Sequence, residues 1–418
     1  MNWLDKHGHP EKYILSFFKW LALSAGVGAI GGLIGAAFFH VLAFSVGLRQ
    51  EHSWLIYLLP VGGLVTVGLY KLFRLTGNRG TNEIIEAVLD DKDVSPLVAP
   101  AMFIATTMTQ LFGGSSGREG AALQIGASQA SALAKLLHLK NNERSLLIMS
   151  GMSAVFAGLF GTPLTACLFV LEFEAVGTFL SPALLPCFLS AFTASRVSLA
   201  LGAHPETFAL AQVSLSFDLL WRVALLALLI ALLDIAMCFI FHKAEHFAHK
   251  FIENPWLRIL AGSAVIIIMT LLAGDQRFNG AGMDLAIGAL EGHTDWYNFI
   301  LKLLFTAITL AAGFKGGEIV PTFAIGATFG CVVGGLLGLD PGFAAAVGLV
   351  GLFCGGTNAP LASIVLSIEM FGGANLHIFA MVCVLCFVLS GQTGLYSSQI
   401  LRYSKISRDS DEYIKIEN

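Results

Sequence analysis

GGSSGREGAALQIG, residues 113–126, and GFKGGEIVPTFAIG, residues 313–326, decide how this chain folds. Each is a glycine cluster that runs into an apolar helix. The likeness continues outward: ALQIGAS at 122–128 resembles TFAIGAT at 322–328, with Gly126 opposite Gly326. GLFGTPLTACLFVLE, from Gly158, matches GGTNAPLASIVLSIE, from Gly355. There Pro163 pairs with Pro360, Leu164 with Leu361 and Glu172 with Glu369, each 197 residues apart. Two matches kept in order imply a duplication, with repeats over approximately 54–203 and 257–395. Duplicated halves in a membrane chain point to a transporter whose site lies between the repeats and is built from interrupted helices. An inverted pair is the expected arrangement. The residues alone leave the orientation open, because it depends on the parity of spans between the copies.

The solvent is a bilayer. Hydrophobic residues make up 56% of the 418 and charged ones 12%, against about 25% charged in a soluble domain. Mean hydropathy is +0.76. Apolar segments run approximately over 13–45, 54–73, 98–112, 119–138, 145–171, 178–203, 219–241, 257–273, 298–313, 321–339, 343–371 and 376–395. Some fall short of the roughly 20 residues a spanning helix needs, and others exceed it. The expected fold is therefore an all-α polytopic membrane protein of full, tilted and re-entrant helices. It is read as a single transport domain over 1–418, with no cytosolic regulatory domain. A barrel would need short alternating segments instead.

The polar start, MNWLDKHGHPEKY, precedes an apolar run too long for a signal-peptide core. The basic stretch Lys71, Arg74 and Arg79 follows two spans and places the N-terminus on its own side, the cytoplasmic one. The short tail 401–418, with Arg402, Lys405 and Arg408 among Asp409, Asp411 and Glu412, is expected there too. A multi-pass protein of the cell membrane follows. The net charge of −4 gives nucleic acid no footing. All seven cysteines, Cys383-x-x-Cys386 included, lie in apolar segments and read as packing residues rather than a disulfide, redox or zinc framework. No cofactor or metal is expected.

The glycine-bounded helix starts suit an anion. Glycine admits close backbone approach, and a helix start presents free N–H groups and a positive dipole end. Two such starts meeting in the membrane form a dehydrated anion site without a full positive charge. Glu119 stands on the first turn of one of them. Its carboxylate would compete with an anion for the same N–H groups, and protonation would release it. The plainer reading is a capping carboxylate paired with Arg118. Lys315 and Glu318, in the second cluster, would pair at i, i+3 if the segment is helical. Otherwise Glu318 could line a proton path or hold a cation. Glu172 and Glu369 read as caps or braces of their helices. Asp234 has no partner legible in the sequence. An enzyme reading takes GSSG at 114–117 as an intramembrane serine protease pattern, with Ser116 as nucleophile and His377 as base. The pattern is short and common in glycine-rich membrane chains, and the chain is read as a non-enzyme.

These segments resemble the CLC family of chloride channels and proton-coupled anion antiporters. SGREGAALQIG is similar to the family's GREGP motif, and GGEIVPTFAIGA to its second-half GIFAP motif. GTNEIIEAV at 80–88 looks like the GSGIP segment, and GLYSSQ at 394–399 like the terminal tyrosine segment. The resemblance implies a homodimer with one anion pathway per subunit. It makes Glu119 the gating, proton-carrying glutamate. It makes Tyr396 a hydroxyl donor to the central anion, where a membrane-interface aromatic is the alternative. Gly120, Ile319 and Val320 supply amides. Thr81 falls on the family's serine across a one-residue gap, with Asn82 as its rival.

Departures refine the expectation. Ala121 replaces the proline of GREGP, and Glu318 replaces an apolar residue. Of the antiporters' paired internal glutamates, Glu172 matches the first. The second position is Phe173, with Glu174 on another face. This combination is similar to the fluoride-exporting branch. The implied function is fluoride/proton antiport through a lipid bilayer, with chloride/proton antiport or a passive anion channel as the alternatives.

Overall fold

The computed structural model describes residues 10–75, 80–90, 92–139, 142–173, 175–176, 179–204, 206–401, 405 and 414–415. Arg79, Glu174, Arg402, Arg408, Asp409, Asp411 and Glu412 lie outside them.

Backbone in hydrocarbon must satisfy its own polar groups, so the apolar runs become helices. A 42-residue helix, Pro10–Glu51, leads into Leu59–Leu72, Thr81–Leu89, Val98–Leu111, Glu119–Leu136, Asn142–Phe160, Pro163–Phe173 and Ser181–Ala200. A 35-residue helix, Phe217–Phe251, then leads into Pro255–Ala273, Met283–Leu290, Asn298–Ala312, Ile319–Leu336, Pro341–Thr357, Pro360–Phe371 and Leu376–Leu389. One order of elements is met twice, and each series follows a long helix. Among the described residues, seven helices are long and apolar enough to cross a membrane. Others stop inside it. Val98–Leu111, with 14 residues, reaches about 21 Å in a hydrocarbon core about 30 Å thick. The expected all-α fold of spanning and interrupted helices is the fold observed. Large apolar side chains such as Leu232, Phe239, Leu271 and Leu272 face outward, as a lipid-facing surface requires.

Small residues set the spacing. The Glu119–Leu136 helix crosses Asn142–Phe160 at Gly126 and Gly151, where a Cβ on either would collide with the other's carbonyl. Gly326 and Gly348 repeat that crossing between Ile319–Leu336 and Pro341–Thr357. Helices in a membrane gain no hydrophobic push toward each other, so such close backbone contact supplies the association through packing.

The two series also cap each other. Glu172, ending the Pro163–Phe173 helix, accepts from the amides of Leu361 (3.1 Å) and Ala362 (2.8 Å) at the start of Pro360–Phe371. Glu369 returns the arrangement, accepting from Leu164 (3.0 Å) and Thr165 (2.9 Å) and from the Thr165 hydroxyl. This corrects the expectation that each carboxylate braces its own helix. Each sits at the positive end of the opposite one, where a carboxylate is stabilised.

The segment 313–318 is not helical, so Lys315 and Glu318 do not form the i, i+3 pair. Lys315 places its ammonium 4.7 Å from the centre of the Tyr70 ring instead. Near the C-terminal end of the described chain, three two-residue strands, Ala175–Val176, Ile400–Leu401 and Ile414–Lys415, form a small sheet in that order. The first pairing is parallel and the second antiparallel.

Replacing Glu369 with Ala strands two amides and a hydroxyl in the bundle. The expected cost is about 1–3 kcal/mol, read as a lowered Tm in detergent, with Glu369→Gln intermediate. An unchanged Tm in Glu369→Ala would refute the capping account. Gly348→Leu forces two backbones apart and is expected to lower Tm by more than Gly373→Leu, whose Cβ meets nothing within 4 Å.

Candidate functional site

Both glycine clusters begin where a helix ends. Val98–Leu111 gives way to Gly113 (φ +86°), and Asn298–Ala312 to Gly313 (φ +100°). This left-handed conformation stops a helix at little cost only with glycine. The chain then runs extended to the next helix start. The two extended pieces meet in an antiparallel bridge: Gly117 N donates to Gly317 O (2.6 Å), and Gly317 N donates to Gly117 O (2.9 Å). Side chains have no room there. A Cβ on Gly316 would strike Ser116, and one on Gly317 would come 2.7 Å from both Gly120 N and Glu119 Oε2.

Glu119 occupies this crossing and is fully buried. Its Oε2 accepts from Arg118 N (3.0 Å) and, across the crossing, from Val320 N (3.2 Å). Its Oε1 has no hydrogen-bond partner among the described residues. A chamber of about 20 Å³ borders the carboxylate, walled by Phe156, Phe160, Thr162, Phe323 and Phe353. That is room for about one water molecule. Arg118 and Val320 line a vestibule of about 890 Å³, which shares Glu206 and Met283 with the chamber.

Arg118 does not pair its guanidinium with Glu119. It bridges to Glu206 at 3.0 Å and stacks between Phe160 (5.0 Å) and Phe39 (5.6 Å). Only its backbone N–H serves the Glu119 carboxylate. Gly120 lies against Thr81, whose Oγ1 would sit 3.0 Å from a Cβ at that glycine. Asn82 points elsewhere, its Oδ1 accepting from Ser398 N at 3.0 Å. The helix starting at Thr81 is thereby tied to the tyrosine segment, and Ser398 Oγ donates to Glu86 at 2.8 Å. Leu395 N donates to Gly356 O (2.8 Å), and Gln399 donates to Thr357 O (3.0 Å). Tyr396 is held between these ties, 1% exposed. Ile319 and Val320 open the second helix, fully or almost fully buried. Glu318 precedes them as the N-cap, its carbonyl accepting from Thr322 N and Oγ1, both at 2.9 Å. Glu172 stands apart as the cap described above.

Among the described residues no hydrogen bond joins Ser116 to a histidine, and Ser116 packs on Gly316. The protease arrangement of Ser116 with His377 is therefore not assembled. Asp234 is fully buried with its carboxylate against Gly355 and Gly356, and Cys238 Sγ lies 3.8 Å from Oδ1.

Sequence reasoning missed Lys302. It is fully buried on Asn298–Ala312 and donates to Ser115 Oγ (2.8 Å), Gly280 O (2.8 Å) and Phe278 O (3.2 Å). A lysine inside an apolar run, NFILKLLFTAITLAA, was the available signal. Lys302 fixes the first glycine cluster from behind, together with Thr306 and Thr309, whose hydroxyls meet Ser115 at 2.9 and 3.0 Å.

Residues 62–390 match the family described as "Voltage gated chloride channel". A "Chloride/fluoride channel protein" of Pseudomonas syringae pv. tomato is 33% identical over 99% of this chain and 94% of its own. An "H(+)/Cl(-) exchange transporter" of Vibrio campbellii is 24% identical over 93% of this chain and 90% of its own. Among solved structures, a "CLC-type fluoride/proton antiporter" superposes with a TM-score of 0.88 at 32% identity, covering 91% of this chain and 98% of that one. A slow cyanobacterial Cl⁻/H⁺ antiporter, 19% identical with a TM-score of 0.77 over 89% and 94% of the two chains, shares the fold. With its two helix starts joined at the glycine crossing, this chain belongs to the voltage-gated chloride channel family, the CLC anion channels and transporters.

Proposed function

We propose that the protein exports fluoride in exchange for protons, with Glu119 as the group that both gates the pathway and carries the proton. The carrying observation is the Glu119 carboxylate in the crossing, one oxygen on the amides of Arg118 and Val320 and the other without a partner among the described residues. An ionised carboxylate and an anion want the same donors. While ionised, Glu119 fills the place of the ion. Once protonated it loses much of its hold on those amides and becomes a hydrogen-bond donor itself. An O–H directed at fluoride replaces part of a tight hydration shell, which a small, strongly hydrated ion gives up only to strong donors. Thr81 and Tyr396 supply further hydroxyls beside the crossing, and Gly120, Ile319 and Val320 supply amides.

The likeness to a fluoride/proton antiporter at 32% identity supports fluoride. The likeness to chloride/proton exchangers at 24%, together with a hydroxyl at Thr81, supports the second reading, in which chloride is the exchanged ion. A passive channel would use the same crossing without obligatory exchange. The protein is taken to work as a homodimer with a pathway in each subunit.

Proteoliposomes decide among these readings. With the protein reconstituted, an imposed proton gradient is expected to drive fluoride uphill, read by a fluoride electrode, while chloride movement stays far smaller. Equal chloride flux would replace fluoride with chloride, and flux that never runs uphill would leave a channel. Glu119→Gln keeps the shape but cannot exchange a proton. Proton-driven fluoride movement is expected to vanish in it, and its survival would remove Glu119 from the proton path. Tyr396→Phe, which deletes one donor, is expected to lower fluoride turnover about tenfold, the effect of about 1.4 kcal/mol.

A further inference from the structure

We propose that Arg49 forms a second anion site, in the vestibule ahead of Glu119, that takes up small monovalent inorganic anions before they reach the crossing. Arg49 stands on the last turn of Pro10–Glu51, outside both glycine clusters. It is 5% exposed, and its Nε and Nη1 have no hydrogen-bond partner among the described residues. A buried guanidinium with idle donors requires an anion or water in front of it, because its charge has been taken out of bulk solvent. The space in front is the vestibule of about 890 Å³, which Arg49 lines with Gln110, Asn279, Arg118 and Val320. The vestibule therefore runs from Arg49 to the amide that holds Glu119.

The guanidinium is held by shape. It lies against Gly280, where a Cβ would come 2.8 Å from Nη2. The loop bearing Gly280 is locked: Asn279 Nδ2 donates to Gly113 O (2.6 Å), Gly280 N donates to Gly114 O (3.0 Å), and Lys302 grips the Gly280 carbonyl from below. Two neighbouring cations are committed to carboxylates, and Asp284 is the carboxylate of the vestibule that acts on Arg49. Arg118 is bound to Glu206, and Arg277 to Asp275 (2.9 Å) and Asp295 (2.8 Å). Asp284 is exposed, attracts Arg49 from a distance and accepts from Gln50 at 3.4 Å. Arg49 thus places a full charge on the vestibule wall, with Nε and Nη1 unpartnered among the described residues and buried beneath it, ahead of inner donors that are amides and hydroxyls. Such a charge raises the local anion concentration and the rate of entry.

The site rests on anion passage through this chain and not on proton coupling, and the tests separate the two. Crystals soaked in bromide report it directly. An anomalous peak is expected against the Arg49 guanidinium in the unmodified protein and not in Arg49→Gln. No peak there, or one that persists in Arg49→Gln, overturns the proposal whatever the protein transports. Function is read as fluoride exchange at equal concentration on both sides of the bilayer. Arg49→Gln is expected to raise the half-saturating concentration about tenfold at low salt and to leave the maximal rate near that of the unmodified protein. The difference should shrink in 1 M salt of an impermeant anion, because screening replaces the lost charge. Arg49→Lys should recover part of the affinity. Gln50→Glu, on an exposed side chain of the vestibule, should shift the half-saturating concentration in the same direction, and Gln50→Lys in the opposite one. A lowered maximal rate with unchanged half-saturation in Arg49→Gln, and no shift in either Gln50 variant, would show Arg49 to be a packing residue and overturn the proposal.

Discussion

The antiparallel pair Gly117–Gly317 is the constraint on which the rest depends. Two stretches of non-helical backbone enter a region without water, where each unpaired polar group would cost several kcal/mol. They solve the problem by pairing with each other. Because the pairing spans both halves, the two helix starts are fixed relative to one another by backbone alone. The donors left over, those of the first turns, then point at one small volume. Glycine is required on both sides, since a Cβ at Gly117 or at Gly317 would run into Glu119 Oε2. The anion-binding character proposed for the site would therefore be a consequence of how the fold satisfies its own backbone.

The same reciprocity recurs farther out. Glu172 and Glu369 exchange helix starts, and Gly126–Gly151 and Gly326–Gly348 repeat one crossing. Each device joins elements that are distant in sequence and brings the interrupted helices to a defined depth. The tyrosine segment has no counterpart of this kind. It is fastened by the side chains of Asn82, Glu86 and Gln399, together with the Leu395 amide on Gly356 O, to one short helix and to the end of another. That binding lets a short extended piece bring Tyr396 to a fully enclosed position.

The fold class and the crossing were legible because their signals are local: continuous apolar runs, glycine clusters ahead of helices, and a repeat visible at Pro163 and Pro360. Glu119 stood out by its place on a helix start. What stayed hidden was partnership across the fold. Glu172 reaches residues 361 and 362, and Lys315 leaves Glu318 for the ring of Tyr70, because the segment between them is extended. Lys302 binds oxygens at 115, 278 and 280, which no spacing rule connects. Arg118 looked like the partner of its neighbour Glu119 but turns to Glu206, since successive residues at a helix start point in different directions.

The distribution of charge follows one rule. A full positive charge 4 Å from an anion attracts it by about 4 kcal/mol at an effective dielectric constant of about 20, which slows its exit about a thousandfold. A transport path cannot hold such a charge unanswered at its narrowest point. Here the cations near the crossing are engaged. Lys302 is surrounded by three oxygens, Arg118 is bound to Glu206, and Lys315 lies on an aromatic face. On the proposed reading, what meets the ion there is a set of amides and hydroxyls, strong enough to replace water and weak enough to let go. In the proposed mechanism the carboxylate of Glu119 adds a competitor whose strength depends on a proton. A cation with free donors is tolerable only where the ion is still partly hydrated, which is why Arg49 stands at the vestibule wall and not at the crossing.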